Sequence, residues 1–421
     1  MTPLLRLYRA VTTLAAPLVP LYLRHRARRS KEDPARRHER LARALPPRPP
    51  GRLVWLHGAS VGESLMLHGF ALRLRDAEPD LTFLFTSQTL TAATLVGDQL
   101  SAPDRQQFAP FDTPGAAARF IAHWRPDAGL FAESEIWPNL LLECQRAHIP
   151  MALVNARSTR KSLDGWARRK AAAQHLYGAF ATIIAADQTT GEGLSAILDR
   201  PIPMPGNLKA ALAPPASDGA LPAFLLDGQP VLLAASTHAG EERLIHRAWT
   251  GLPTPRPHLV IAPRHPERAA AIRAELEAEG ATIAQRSRGD IGANGTVYLA
   301  DTLGEMGLWY RAASLVYLGG GHTAGIGGHN PMEPLRCGKP VISGPDLFNF
   351  NTVAPALEQT GGLTLVAGEA ELTETLRGHF SGEAPRAVDQ PALDTFFAQA
   401  DTPMTVTLDA ARALLPPAKS P

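Results

Sequence analysis

Leu53-Val54-Trp55-Leu56-His57-Gly58-Ala59-Ser60-Val61-Gly62-Glu63-Ser64 decides the architecture of this chain. The apolar run that ends at His57 reads as a buried strand, and the residues after Glu63 have helical character. Gly58 and Gly62 let the backbone between them turn tightly and approach a bound molecule. The succession of strand, loop and helix then repeats. Further strands are expected at 81–86, 129–132, 151–155 and 182–186, each followed by a segment of helical length. A loop rich in Pro, Ala and Gly runs from 211 to 221, and a second series follows it. Its strands are expected at 231–235, 259–263, 281–284, 296–300, 315–318 and 340–343, with helices at 241–249 and 266–279 between them. Alternation of this kind predicts α/β architecture, with parallel sheets covered by helices on both faces. Two doubly wound, Rossmann-like halves are therefore expected, joined near residues 205–220. Ligands in such sheets sit beyond the carboxyl ends of the strands, so two facing halves would place a cleft between them.

With 421 residues, the chain is long enough for two domains of ordinary size. Apolar residues at 45% and charged residues at 19% give a normal globular balance and argue against global disorder. A formal net charge of +2 does not suggest a nucleic-acid binder. Cys144 and Cys337 lie far apart, which indicates neither a disulfide scaffold nor a thiolate zinc site. The N-terminus is uneven in charge. Arg6 and Arg9 precede an apolar stretch from 10 to 23, and Arg24, His25, Arg26, Arg28, Arg29 and Lys31 follow it. That stretch is shorter than the roughly 20 residues needed to span a bilayer, and Pro17 and Pro20 interrupt it. It reads as an anchoring segment over 1–31 that lies in the membrane interface, drawn to anionic lipid by its basic flanks.

Several loops after expected strands carry groups suited to chemistry. Glu63 can accept a proton from a hydroxyl nucleophile, or it can simply complement the start of its helix. Glu133 and Glu135 follow the strand at 129–132, and two carboxylates so close are not both expected to be buried without partners. One can serve the substrate while the other serves structure. Arg157, Arg160 and Lys161 suit phosphate groups, or form a solvated basic loop. Lys209 stands near the junction of the halves, where a linker lysine is ordinarily solvated. Pro263-Arg264-His265 ends a strand with cations. The glycine-rich stretch from Gly319 to Gly328 leads to His329-Asn330-Pro331-Met332-Glu333, where free amides and a helix start would hold an anion. Glu333 can bind ribose hydroxyls or share a helix cap with Asn330. A dinucleotide site is not supported, because no acidic residue ends the next strand. His238 with Glu241 and Glu242 lacks a second histidine at metal-ligand spacing, so no metal site is read.

Eight stretches in order resemble the Kdo transferases of lipopolysaccharide synthesis, which move the acidic sugar 3-deoxy-D-manno-octulosonic acid (Kdo). They are HGASVGES at 57–64, ESEIWPNL at 133–140, NARSTRKS at 155–162, GNLK at 206–209, ASTHAGEE at 235–242, PRHPER at 263–268, DTLGEMGLWYRAASLVYLGG at 301–320 and GGHNPMEP at 327–334. The resemblance implies a GT-B fold. It would comprise an acceptor-binding domain at 51–210, a CMP-Kdo-binding domain at 221–385 and a helical tail at 386–421. It also implies an inverting transfer from CMP-Kdo to a lipid A precursor, with no metal ion or other cofactor, at the cytoplasmic face of the inner membrane. Glu63 corresponds to the proton acceptor, and Glu133 and Lys209 to transition-state stabilisers. Pro263, Arg264, Leu303, Gly304, Glu305, Asn330, Pro331, Met332 and Glu333 would form the CMP site. The stretch GHTAGIG at 321–327 replaces a longer polar loop in the family pattern, which weakens that part of the donor site. The rival readings are a GT-B enzyme using another nucleotide sugar and a membrane-bound nucleotide or lipid A binder without turnover.

Overall fold

A computed structural model describes residues 1–211, 219–351, 353–381 and 388–417. Part of the expected junction between the halves, residues 212–218, therefore lies outside the described residues, as do 382–387 of the expected second domain and tail and 418–421 of the tail. The chain forms two compact units, Met1–Leu212 with Ala400–Pro421, and Ala213–Gln399.

The first unit opens with α1 (Pro3–Ala15) and α2 (Val19–Arg28). It continues through β1 (Arg52–His57), α3 (Val61–Ala77), β2 (Leu81–Ser87), α4 (Leu90–Gly97), β3 (Arg105–Phe108) and α5 (Pro114–Trp124). Then follow β4 (Ala128–Ala132), α6 (Pro138–Arg146), β5 (Met151–Ala156), α7 (Arg160–Ala167), α8 (Lys170–Tyr177), β6 (Phe180–Ala185) and α9 (Gln188–Leu198). All six strands are parallel, in the order β3-β2-β1-β4-β5-β6. Short polar side chains start the helices. Ser60, Thr89, Thr113, Thr159 and Asp187 each accept from a backbone N–H of the first turn, satisfying donors that the helix itself leaves open. Beneath one face of the sheet, the buried Trp55 ring meets Phe120 and Phe131, each 4.8 Å away between centroids.

The second unit contains β7 (Val231–Thr237), α10 (Glu241–Thr250), β8 (His258–Pro263), α11 (Ala269–Ala278), β9 (Ile283–Gln285), β10 (Val297–Leu299) and α12 (Met306–Ala312). It ends with β11 (Leu315–Leu318), α13 (Met332–Arg336), β12 (Val341–Ser343), α14 (Ala354–Gln359), β13 (Leu363–Leu365), α15 (Glu369–Ser381) and α16 (Gln390–Ala400). Its sheet is also parallel, in the order β13-β12-β11-β7-β8-β10-β9. In both sheets the first strand lies inside and the order reverses beside it, which is the doubly wound pattern. The α/β class with two Rossmann-like units is thus the observed architecture.

Two strands escape the sequence reading, β3 and β13, and both are sheet edges. The N-terminus also corrects an expectation. Helical backbone runs from Pro3 to Arg28, 26 residues, with a 3₁₀ turn at Ala16–Leu18 instead of a break. Pro17 and Pro20 fall in the first turns of helical segments, where a missing N–H costs little. This run is long and apolar enough to cross a membrane by length and composition. One side of it is docked on the first unit. Tyr8 donates to Asp112 at 2.9 Å, Arg9 pairs with Glu143 at 3.0 Å, and Leu5, Val19 and Leu23 are buried. The other side exposes Leu4, Leu7, Val11, Leu14, Leu18 and Leu21.

The last helix, α17 (Thr402–Leu414), packs on α3, β4 and β5. Met404 and Ala411 join a core with Leu56, Met66, Leu130 and Val154. Met404→Ala should therefore destabilise the first unit by about 2–5 kcal/mol, the usual cost of emptying a buried methionine site. Urea unfolding followed by tryptophan fluorescence measures this, and an unchanged midpoint would mean that α17 contributes nothing to that core.

Candidate active site

The order of the first sheet reverses between β1 and β4, and the loops leaving these two strands carry the candidate carboxylates. After β1 the chain turns at Gly58 and enters α3. Glu63 sits in the first turn of that helix and reaches back. Its Oε2 accepts from Ala59 N at 2.8 Å, and its Oε1 from the Ser60 hydroxyl at 2.6 Å, while Ser60 Oγ accepts from Glu63 N at 3.3 Å. Glu63 thus completes the helix start and is fixed in orientation by doing so. The residue as a whole is half-buried. An ionised carboxylate offers about four lone-pair positions, so two donors leave room for a third partner.

After β4, Glu133 adopts a left-handed φ of 55°, an uncommon conformation for a residue with a side chain. Its Oε1 meets Lys209 Nζ at 2.7 Å. This lysine also lies over Gly62, where an added Cβ would stand 3.5 Å from Nζ. Glu133, Lys209, Gly62 and Glu63 are therefore brought to one place. Lys209 is not the solvated linker residue that its sequence position suggested. Asn155, at the end of β5, explains how the segment is held. It too has a left-handed φ, 52°, and its buried Oδ1 accepts from Leu208 N at 2.8 Å.

Glu135 does different work. It accepts from Trp137 Nε1 at 2.7 Å and meets His57 Nε2 at 3.2 Å. His57, fully buried, continues through Nδ1 to Thr86 Oγ1 at 2.8 Å, which also accepts from Trp55 Nε1 at 2.8 Å. The chain of contacts pins the turn after β4 to the core, so Glu135 is the structural member of the carboxylate pair. Beyond β5, Thr159 caps α7, and the exposed Arg160 and Lys161 occupy its first turn. Cations there oppose the helix dipole, so helix stability does not account for them. Arg157 stands 3.9 Å from Asp187.

In the second unit the order reverses between β7 and β11. Here two amides of the glycine-rich loop, expected to be free, are engaged within the protein. Glu241, 2% exposed, accepts from Gly320 N at 2.8 Å, His322 N at 3.1 Å and His238 N at 2.9 Å. The amides of Gly320 and His322 are thus occupied by a protein carboxylate. Gly319 is required for this approach, because an added Cβ would fall 2.5 Å from Ser236 O. The helix beyond the loop, α13, has five residues and offers little dipole. Asn330 Oδ1 accepts from Met332 N at 3.1 Å, and its Nδ2 donates to Glu333 Oε1 at 3.3 Å. Pro331 and Met332 are buried. Burial pushes the Glu333 carboxyl above its ordinary range, against the opposing pull of Asn330 and Arg264.

The remaining donor-site candidates divide. Pro263 ends β8 buried, and Arg264 is exposed with its N–H on Thr237 O. Leu303 is 76% exposed, and Gly304 turns at φ 82°. Glu305 is held by Arg286 at 2.7 Å and by the Thr302 hydroxyl, so its side chain is already engaged. The sequence reading missed the holding role of Glu241 and the contact between His238 and His329, whose partners lie 79 and 91 residues away. Among the described residues, no three His, Cys, Asp or Glu side chains gather as a metal-holding group.

Burial opposes ionisation of Glu135, but the contacts with His57 and Trp137 outweigh it and hold this carboxyl below its ordinary range. A depressed carboxyl adds stability above the ordinary carboxylate range and loses it as pH falls through the folded value. Glu135→Gln should therefore lose stability less steeply than the parent between about pH 5 and pH 2. Urea midpoints taken at stepped pH check this, and parallel curves would contradict it.

Comparison with known proteins places the chain. A family model described as 3-deoxy-D-manno-octulosonic-acid transferase (kdotransferase) matches residues 35–212. The 3-deoxy-D-manno-octulosonic acid transferase of Bordetella pertussis is 36% identical, over 82% of this chain and 85% of its own length. A probable mitochondrial 3-deoxy-D-manno-octulosonic acid transferase of Arabidopsis thaliana is 33% identical, over 88% of this chain and 87% of its own. A solved glycosyltransferase from Rickettsia africae shares the fold, with a TM-score of 0.53, 11% identity, and coverage of 86% of this chain and 98% of that one. With two GT-B-type units and relatives aligned over most of its length, the chain belongs to the 3-deoxy-D-manno-octulosonic acid transferase family of glycosyltransferases.

Proposed function

We propose that the protein transfers Kdo from CMP-Kdo to a lipid A precursor, with inversion and without a metal ion, on the cytoplasmic side of the inner membrane. The observation that carries this reading is the gathering of Glu63, Glu133 and Lys209 beyond the switch point of the first sheet.

In the reaction, an acceptor hydroxyl attacks the anomeric carbon of Kdo. Its proton passes to Glu63, and the electron pair of the broken donor bond leaves on the phosphate of CMP. Glu63 suits the role because Ala59 N and Ser60 Oγ fix its oxygens while the residue stays only half-buried. Lys209 supplies positive charge where negative charge develops, and Glu133 holds that lysine over Gly62. In the second unit, Pro263 and Arg264, Leu303 to Glu305, and Asn330 to Glu333 bind CMP. Arg264 meets the phosphate, and Glu305 contributes through its backbone, since Arg286 and Thr302 hold its side chain. Exposed Arg160 and Lys161 suit the phosphates of the acceptor. The apolar side of α1 and α2, followed by its basic cluster, holds the protein at the lipid surface.

Glu63→Gln should lower transfer by a factor of about 10² or more, measured with CMP-Kdo and lipid A precursor in detergent. Calorimetry should find CMP affinity unchanged in that variant, and normal turnover would remove Glu63 from the mechanism. For the membrane, substitution is a cleaner test than deletion, because Leu5, Tyr8 and Arg9 fasten α1 to the first unit. Leu14→Gln combined with Leu18→Gln should cut partitioning into vesicles containing anionic phospholipid by roughly a hundredfold or more, since each leucine contributes about 1.5–3 kcal/mol. Unaltered co-sedimentation would rule out this face as the anchor.

A further inference from the structure

At the switch point of the second sheet, two histidines from different strand ends touch. His238 follows β7 and His329 lies in the loop after β11, and their Nε2 atoms are 2.8 Å apart. The rings lie nearly parallel, at 8°, with centroids separated by 5.1 Å. His265, after β8, stands 6.0 Å from His238 between centroids. Three adjacent strands of the sheet, β11, β7 and β8, thus each send a histidine beyond their carboxyl ends. This is where doubly wound sheets bind their ligands.

Two ring nitrogens in contact require one donor and one acceptor. With both rings neutral, one Nε2 carries the shared proton and the other ring carries its proton on Nδ1. The pair can take one further proton without breaking the bond, because a charged ring still donates to a neutral one. A second further proton would put N–H against N–H. The pair is therefore built to change its charge by a single unit.

The surroundings hold it neutral. Burial lowers both rings below the ordinary histidine value, His329 to about 4. His265 and Arg268 press in the same direction on His238, against the opposing pull of Glu241 and Glu242, while His238, Arg264 and His265 all press on His329. The carboxylates nearby are already engaged. Glu241 takes the amides of the glycine loop, and Glu242 pairs with Arg268 at 2.8 Å. Glu267 stands 3.3 Å from His265 at the surface, and the Glu333 carboxyl is bonded to Asn330. Burial outweighs the pull of these carboxylates, so the pair rests without a charge of its own.

We propose that His238 and His329 seat the phosphate of the donor nucleotide and take up one proton as it binds. The inference rests on the nucleotide-donor reading above and deepens it. A bound phosphate brings negative charge into direct contact with the ring nitrogens, so the pair charges and donates an N–H to a phosphate oxygen. During transfer the electron pair of the broken C–O bond goes to that phosphate, and the acceptor proton goes to Glu63. The histidine pair keeps its extra proton until CMP departs, then releases it to solvent.

Calorimetric titration of the full chain with CMP at pH 7, in two buffers of different ionisation enthalpy, counts the protons taken up. The parent should take up more than His329→Gln or His238→Gln, by an amount approaching one proton, and each variant should bind CMP about tenfold more weakly. Glutamine can keep the contact between the two loops, and cytidine, which has no phosphate, should bind parent and variants alike. Equal proton uptake in parent and variants would overturn the proposal while leaving the donor reading intact. A folded parent that binds neither CMP nor cytidine would overturn both.

Discussion

Left-handed turns at two strand ends set the geometry of the first unit. A parallel strand delivers its last side chains to the carboxyl edge of the sheet, and the direction of the next residue decides what lies there. Glu133 and Asn155 turn through φ values of 55° and 52°, each at a cost of about 1–3 kcal/mol. Hydrogen bonds offset that cost. Glu133 N is held on Val154 O at 3.0 Å, and Asn155 Oδ1 accepts from Leu208 N. One turn aims a carboxylate and the other fixes the segment that carries Lys209. Their ion pair and its place beside Gly62 follow from these two constraints.

The same logic recurs in the second unit with different chemistry. Ser236 takes a φ of 55° at the end of β7, and the next loop reaches the glycine-rich stretch. There a buried glutamate occupies the amides of Gly320 and His322. The loop is thereby held before any ligand arrives, and the proposed anion contacts fall to side chains around it, namely Arg264 and the touching histidines. A preformed site of this kind loses less freedom on binding than one that must fold around its ligand.

Much of this was legible in the sequence, for identifiable reasons. Strands inside a parallel sheet are apolar on both faces, so runs such as Leu53 to Leu56 announced themselves. The strands that escaped notice, Arg105–Phe108 and Leu363–Leu365, are sheet edges, short and partly exposed, so their composition is not that of a core. Glu63 was visible both as a candidate base and as the completion of a helix start, and the geometry is that of the helix start with exposure to spare. The choice between Glu133 and Glu135 was not visible in the local pattern, and only the family resemblance pointed to Glu133. That choice depends on Lys209 and His57, 76 and 78 residues away, and no local pattern encodes such partners. The histidine contact was hidden for the same reason. Spacing along the chain does not reveal it, because the contact is made across the sheet.

The central claim is that the carboxylates and lysine gathered in the first unit serve sugar transfer to a lipid acceptor. Mass spectrometry of a lipid A precursor incubated with the protein and freshly generated CMP-Kdo tests it most directly. The account predicts a product heavier than the acceptor by Kdo, with CMP released in equal amount. An unmodified acceptor, in a preparation that binds CMP and is folded, would contradict it.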